Sequence, residues 1–307
     1  MIGIKDLFQK TLYIDTLYSF KYIYIIKDMQ KYTLPKPSAE KLAQTCLFAD
    51  GHLLIEDIPG TGKTVLAKKI ANISNLSTNR IQCTNDLMPA DILGYNKVKN
   101  NKLAFIKGPI FTNILLIDEL NRAPSRTQSA LLESMEELQV SIEGKTHLLS
   151  KPFFVIATQN PREQTGVFDL PESQIDRFSI CIKMDEISNE RYRDILLTKE
   201  EKQINKLNFK KMIAESNLVH IDEKLINYLL NIISLIETKT NKKLAIRPRI
   251  QLKKLSKSFA ALDDRDFVVP EDIQSVLLPN MRHRMAGMSD SELEKILVEV
   301  VKEVKIP

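Results

Sequence analysis

One stretch governs what this chain can fold into: residues 52–64, HLLIEDIPGTGKT. The apolar run Leu53, Leu54, Ile55 has the makeup of a buried parallel strand. A turn with Pro59, Gly60 and Gly62 follows, and Lys63-Thr64 open a helix, VLAKKIAN. A strand, a Gly-rich loop and a helix in that order make a cradle for nucleotide phosphates. Backbone N–H groups can surround a phosphate only where no Cβ blocks the approach, which is what Gly60 and Gly62 provide. The helix N-terminus adds unpaired N–H groups and the positive end of its dipole. Lys63 can reach the β- and γ-phosphates, and the Thr64 hydroxyl can ligate Mg²⁺. The expected binding segment is Asp57, Ile58, Pro59, Gly60, Thr61, Gly62, Lys63, Thr64 and Val65. The usual GxxxxGKT pattern puts Gly where this chain has Asp57. An ordinary Gly/Pro turn is the competing reading, and the strand and helix around the loop favour the cradle.

A chain of 307 residues has room for about two domains. Apolar content of 43% with 27% charged residues is that of an ordinary globular protein. The net charge of +5 includes no basic block that would track a nucleic-acid backbone. Cys46, Cys83 and Cys181 are far apart and without CxxC spacing, so they read as reduced thiols. His52, His147, His220 and His283 are as scattered, which argues against a protein-built metal site. The most apolar local run, Tyr22 to Ile26, is too short to span a bilayer and lacks a cleavage site. A cytoplasmic protein is expected.

Residues 1–34 hold seven of the chain's 12 Phe and 8 Tyr residues. They read as an element packed on the domain by the rule that apolar runs are core, with a docking element as the alternative. Pro35 and Pro37 punctuate the chain before Ser38, a helix N-cap for AEKLAQTCLFA. From 38 to about 185 strands and helices alternate, which predicts an α/β fold with a parallel sheet. Strands are expected near 53–56, 80–83, 113–117, 153–158 and 178–182. Pro124 suits the first turn of a helix that lines up Leu131, Met135 and Leu138. Residues 139–149, QVSIEGKTHLL, alternate around Glu143-Gly144 as a β-hairpin would. Pro171 starts a short helix, PESQIDRF. Beyond about 186 the pattern is helical, with candidates at 188–202, 222–238, 248–262, 270–278 and 289–304. The division expected is an extension at 1–37, an α/β core at 38–186 and an all-helical domain at 187–307.

Ile114 to Glu119, ILLIDE, is a buried strand ending in two acids at the edge where open α/β sheets bind ligands. Asp118 can hold Mg²⁺ through water, and Glu119 can polarise the attacking water. FFVIATQN ends a further strand at the same edge, where Asn160 could position that water. Arg177 ends the short IDRF helix and Arg249 lies in RPRI. Either could neutralise γ-phosphate charge, in cis or in trans.

Together GHLLIEDIPGTGKT, GPIF, ILLIDELNRAPSRTQSALLESMEE, QVSIEGKTHLL, PFFVIATQNPREQTGVFDLPESQIDRF and RPRIQL resemble the MoxR family of AAA+ ATPases. The resemblance covers roughly residues 38–300. It implies an αβα sandwich with a five-stranded parallel sheet and a C-terminal helical lid, assembling into a ring, usually a hexamer. It makes Lys63 and Thr64 the Walker A pair, Asp118 and Glu119 the Walker B pair, and Asn160 sensor 1. Arg177 matches the arginine finger that acts on a neighbour's nucleotide, and Arg249 the sensor 2 arginine. The 139–149 hairpin matches the helix-2 insert, and Arg122 falls near the protomer interface. Arg247 stands where a small residue often precedes the Pro-Arg of sensor 2, and residues 1–34 match nothing in the pattern. The implied activity is chaperone-like remodelling of a protein client, often with a von Willebrand factor A-domain protein. The alternatives are a nucleic-acid-dependent motor, against which the modest charge stands, and a nucleotide-gated scaffold, against which Lys63, Glu119, Asn160 and Arg177 stand.

Overall fold

The computed structural model describes residues 33–56, 66, 69–70, 76–99, 101–159, 170–183 and 208–307. Residues 1–32, the phosphate cradle at 57–65, Asn160, residues 161–169 and the candidate helix at 188–202 lie outside them. Pro35–Pro307 forms one compact unit.

Nine strands are described: β1 His52–Glu56, β2 Thr78–Gln82, β3 Gly94–Lys99, β4 Lys102–Lys107, β5 Ile114–Asp118, β6 Gln139–Ile142, β7 Lys145–Leu148, β8 Phe154–Gln159 and β9 Phe178–Lys183. Five of them form a parallel sheet in the order β2-β5-β8-β1-β9. Every residue of β5 and β8 is buried. This is why ILLI and FVIA are continuous apolar runs instead of alternating, since a parallel sheet is covered on both faces, with polar residues only at the C-terminal tips. Each expected strand of the sheet is present within two residues of its expected limits.

The first helices are α1 Ala39–Phe48, α2 Pro89–Leu93, α3 Ser125–Glu137 and α4 Glu172–Ile175. Ser38 caps α1 by accepting the Lys41 N–H. Pro124 and Pro171 stand just outside α3 and α4, at their N-cap positions. On α3, Leu131, Leu132 and Met135 share a core with Leu54 of β1, Leu115 and Ile117 of β5, and Val155 and Ala157 of β8.

Two antiparallel hairpins leave the sheet. The expected one, β6–β7, has Glu143 and Gly144 at its tip, both at positive φ. The other, β3–β4, was not anticipated. By chain order β3–β4 follows the helix of the second βα unit, whereas β6–β7 follows α3, so a label tied to the second helix describes residues 94–107. Gly108 of the GPIF motif closes the base of that hairpin. A Cβ there would lie 2.2 Å from the Ile92 carbonyl oxygen, so only glycine fits. The two hairpins touch: Phe105 stacks on His147 at 4.0 Å, and the Asn96 amide donates to Glu143 at 2.7 Å.

The C-terminal part is helical: α5 Phe209–Leu218, α6 Glu223–Thr240, α7 Ile246–Leu262, α8 Pro270–Met281 and α9 Asp290–Glu303. Capping explains its punctuation. The Asn208, Asp222 and Ser289 side chains accept N–H groups at the starts of α5, α6 and α9, and Pro270 opens α8. α5 is an addition to the expected helices. Among the described residues no helix is long and apolar enough to cross a membrane.

Candidate functional site

Asp118 ends β5 and Glu119 follows it, so both stand at the C-terminal edge of the sheet, as expected. Asp118 is almost buried. Arg80 of β2 grips it, Nε donating to Oδ2 at 2.6 Å and the second guanidinium nitrogen at the same distance. Glu119 adopts the left-handed conformation (φ 55°, ψ 49°), which costs a non-glycine residue about 1–3 kcal/mol and persists only where neighbours fix it. Those neighbours are visible. Its N–H donates to the Thr158 hydroxyl at 3.0 Å, and buried Leu120 anchors the turn that follows. The Gln128 amide of α3 donates to the Ala123 carbonyl at 2.9 Å, holding the end of that turn.

The Glu119 carboxylate is itself engaged. Gln82 of β2 donates to Oε2 at 3.0 Å, and Arg122 lies 3.3 Å from the same oxygen. Arg80 and Gln82 are two residues apart on one strand and so share a face. That alternation beside the acidic strand was the available signal for both, and the sequence reading passed over it. Cys83 adjoins the pair, where burial, followed by the charges of Asp118 and Glu119, pushes its thiol up to about 12. It stays protonated at neutral pH.

Among the described residues no cluster of three or more His, Cys, Asp or Glu side chains could hold a metal ion. The single carboxylate of Asp118 at this edge suits a hard cation carried mainly by phosphate oxygens and water, as Mg²⁺ is in nucleotide sites. The residues present therefore fit the expected cation.

Arg177 is elsewhere. It immediately precedes β9, at the N-terminal edge of the same sheet. Register puts Asp118 level with Ile182, five residues beyond Arg177 and three strands across. At the usual spacings this is about 16 Å along the strands and about 14 Å across them. The fold thus separates Arg177 from Asp118 and Glu119. Its guanidinium rests on Glu136 of α3, at 3.1 Å from Oε2, and donates to the Ser173 carbonyl at 3.1 Å.

The RPR segment opens α7, and its two arginines part company. Arg249 turns back within the helical part, bidentate to Glu237 at 2.9 and 3.0 Å and donating to the Leu244 and Ala245 carbonyls. Arg247 goes to the edge that holds Arg177. It pairs with the other oxygen of Glu136 and lies 3.7 Å from Asp176. Asp176 also accepts from buried Arg284 at 2.6 Å, whose guanidinium further donates to the Phe178 carbonyl at 2.9 Å. Burial lowers the pKa of Arg284, and Asp176 opposes that shift. Sequence reading found Arg177 but missed Glu136, Asp176 and Arg284, which come from separate segments.

This edge borders a cleft of ≈ 380 Å³ lined by Met135, Glu136, Arg177, Arg247, Ile250 and Lys254 among others. His52 forms part of its wall. Its Nδ1 accepts the Val155 N–H at 3.2 Å, and burial depresses its pKa to about 4, a bond to the Met135 backbone opposing.

Comparison with known proteins bears on both edges. Residues 52–180 match the family described as ATPase family associated with various cellular activities (AAA), and residues 237–304 match the AAA lid domain. The chain is 36% identical over 276 residues to Chaperone MoxR1 of Mycobacterium tuberculosis, spanning 83% of this chain and 73% of that protein. It is 38% identical over 284 residues to the uncharacterized protein YeaC of Bacillus subtilis, spanning 87% of this chain and 88% of YeaC. A crystal structure from Cytophaga hutchinsonii matches with a TM-score of 0.77 at 30% identity, covering 99% of each chain.

Proposed function

The chain belongs to the MoxR family of AAA+ ATPases, and on that premise we propose that it hydrolyses ATP at the seam between copies of itself. The copies form a closed ring, a hexamer in this reading, and the cycle drives chaperone-like remodelling or activation of a protein client. A von Willebrand factor A-domain protein is the expected accessory partner, and the setting is cytoplasmic. The working parts are the core at 38–186 and the lid at 187–307, with 1–37 as an extension.

One protomer binds the nucleotide with the loop from Asp57 to Val65, Lys63 reaching the terminal phosphates. Thr64 and Asp118 would hold Mg²⁺, which neutralises charge on the β- and γ-phosphates. Glu119, aligned with Asn160, takes a proton from the attacking water as its oxygen bonds to the γ-phosphorus. The bond to the β–γ bridging oxygen breaks, releasing ADP and phosphate. Arg177 comes from the neighbouring protomer, with Arg247 beside it, while Arg249, expected as the sensor 2 arginine, is held by Glu237 and braces the lid.

One observation carries this reading. Arg177 lies at the opposite edge of the sheet from Glu119, roughly 20 Å away by strand geometry, so it cannot serve the nucleotide of its own chain. The test is mixing. Glu119→Gln and Arg177→Ala should each lose about 10²-fold or more in turnover while still binding ATP. A mixture of the two should regain activity, because some seams then pair an intact Glu119 with an intact Arg177. A mixture as inactive as its components would remove the shared seam from the account.

A further inference from the structure

The geometry points to Glu136 as a positioning residue that holds Arg177 and Arg247 together as one two-armed cation for the terminal phosphate of the next protomer's ATP. The inference rests on the shared-seam reading above.

Two guanidinium groups from distant segments meet on one carboxylate. Arg177, at the start of β9, takes Oε2 through two nitrogens at 3.1 Å. Arg247, in the first turn of α7, takes Oε1. Two like charges brought side by side repel each other, and the carboxylate between them cancels that repulsion and sets their spacing. Each arginine also has a second hold on the same short stretch, Arg177 on the Ser173 carbonyl and Arg247 near Asp176. A guanidinium carries five N–H donors, more than these contacts use. The pair therefore keeps donors for an incoming anion, and the cleft beside it has room for one.

A purely structural role fits poorly. The Glu136 side chain is 45% exposed, and those of Arg177 and Arg247 are 21% and 34% exposed. Ion pairs this open contribute little to stability. The fold already has an anchor at this edge in buried Arg284, paired with Asp176. What Glu136 adds is the alignment of two cations at the mouth of the cleft, and alignment of that kind governs rate.

The test uses the full chain at concentrations where turnover per protomer no longer rises. Glu136→Ala should melt close to wild type, keep its KM for ATP and lose about tenfold in kcat, as misplacement of a positioned group does. Glu136→Gln, which keeps an acceptor but loses the charge, should fall between the two. In mixtures, Glu136→Ala should regain turnover with Glu119→Gln, whose arginines are intact, but not with Arg177→Ala, which shares its defect. Wild-type turnover in Glu136→Ala, or recovery with Arg177→Ala, would overturn the assignment. If Arg177→Ala and Glu119→Gln themselves fail to complement, the shared seam falls and this inference falls with it.

Discussion

The two edges of the central sheet are built in opposite ways. At the C-terminal edge the reactive acids are consecutive residues on one strand tip, Asp118 and Glu119. At the N-terminal edge the charged groups come from α3, from the turn before β9 and from α7, and only folding brings them together. Both edges are tied down within the chain, the acids by Arg80, Gln82 and Arg122, the arginines by Glu136 and Asp176. The difference lies in what holds them. At the acid edge a half-exposed arginine holds a buried aspartate, whereas at the arginine edge a buried arginine holds a partly exposed aspartate. On the proposed function each edge carries part of one site, and the two parts lie at opposite ends of the strands.

The contrast in anchoring is open to direct attack. Arg284→Met removes the buried arginine and its bonds to Asp176 and to the Asn280 and Phe178 carbonyls, so it should cost about 3–5 kcal/mol of unfolding free energy in denaturant titration. Arg80→Met, at the other edge, should cost less, about 1.5–3 kcal/mol, because the arginine it removes is half exposed although the Asp118 it leaves is buried. Equal losses would erase the distinction.

A smaller effect comes from His52 in the wall of the arginine-edge cleft. Its folded pKa of about 4 lies below the ordinary 6.5, so the unfolded chain takes up the proton first. Stability is then fully present above pH 6.5 and is lost as pH falls toward 4, by roughly 3 kcal/mol across that window. Melting of wild type against His52→Gln between pH 7 and 4.5 checks this. The variant's stability should fall less steeply with acid, and parallel curves would refute the assignment.

The smallest effect belongs to the acid edge. Gln82→Ala removes one hydrogen bond of about 1 kcal/mol from the Glu119 carboxylate, Arg122 remaining on the same oxygen, and should raise steady-state turnover by up to about fivefold. A fall in turnover would mean that Gln82 aligns Glu119 rather than restrains it.

The same contrast explains what could be read from the sequence. β5 and β8 are buried on both faces, so ILLID and FVIATQ stand out as apolar runs, and the acids follow directly. The β3–β4 hairpin escaped notice because Val98 and Leu103 are exposed and lysines interrupt the alternation. Its turn signal, Asn100-Asn101 with Asn101 at φ 56°, is weaker than Asn-Gly. Helix α5, FKKMIAESNL, buries only Phe209 and Ser216, so little periodicity announced it beyond the Asn208 cap. At the arginine edge, RPR pointed to Arg249 as the phosphate-directed arginine, whereas Arg247 is the one that stands beside Arg177. The partners decide that: Glu237 holds one and Glu136 the other. Neither pairing follows from local spacing.

If the site is completed between copies, a single chain holds only separated parts of it. The most direct measurement is ATP turnover per protomer across a wide dilution series, with assembly followed by sedimentation in the same samples. Specific activity should rise with concentration as protomers associate and collapse on dilution to monomer. Turnover per protomer that stays constant down to the monomer would contradict it.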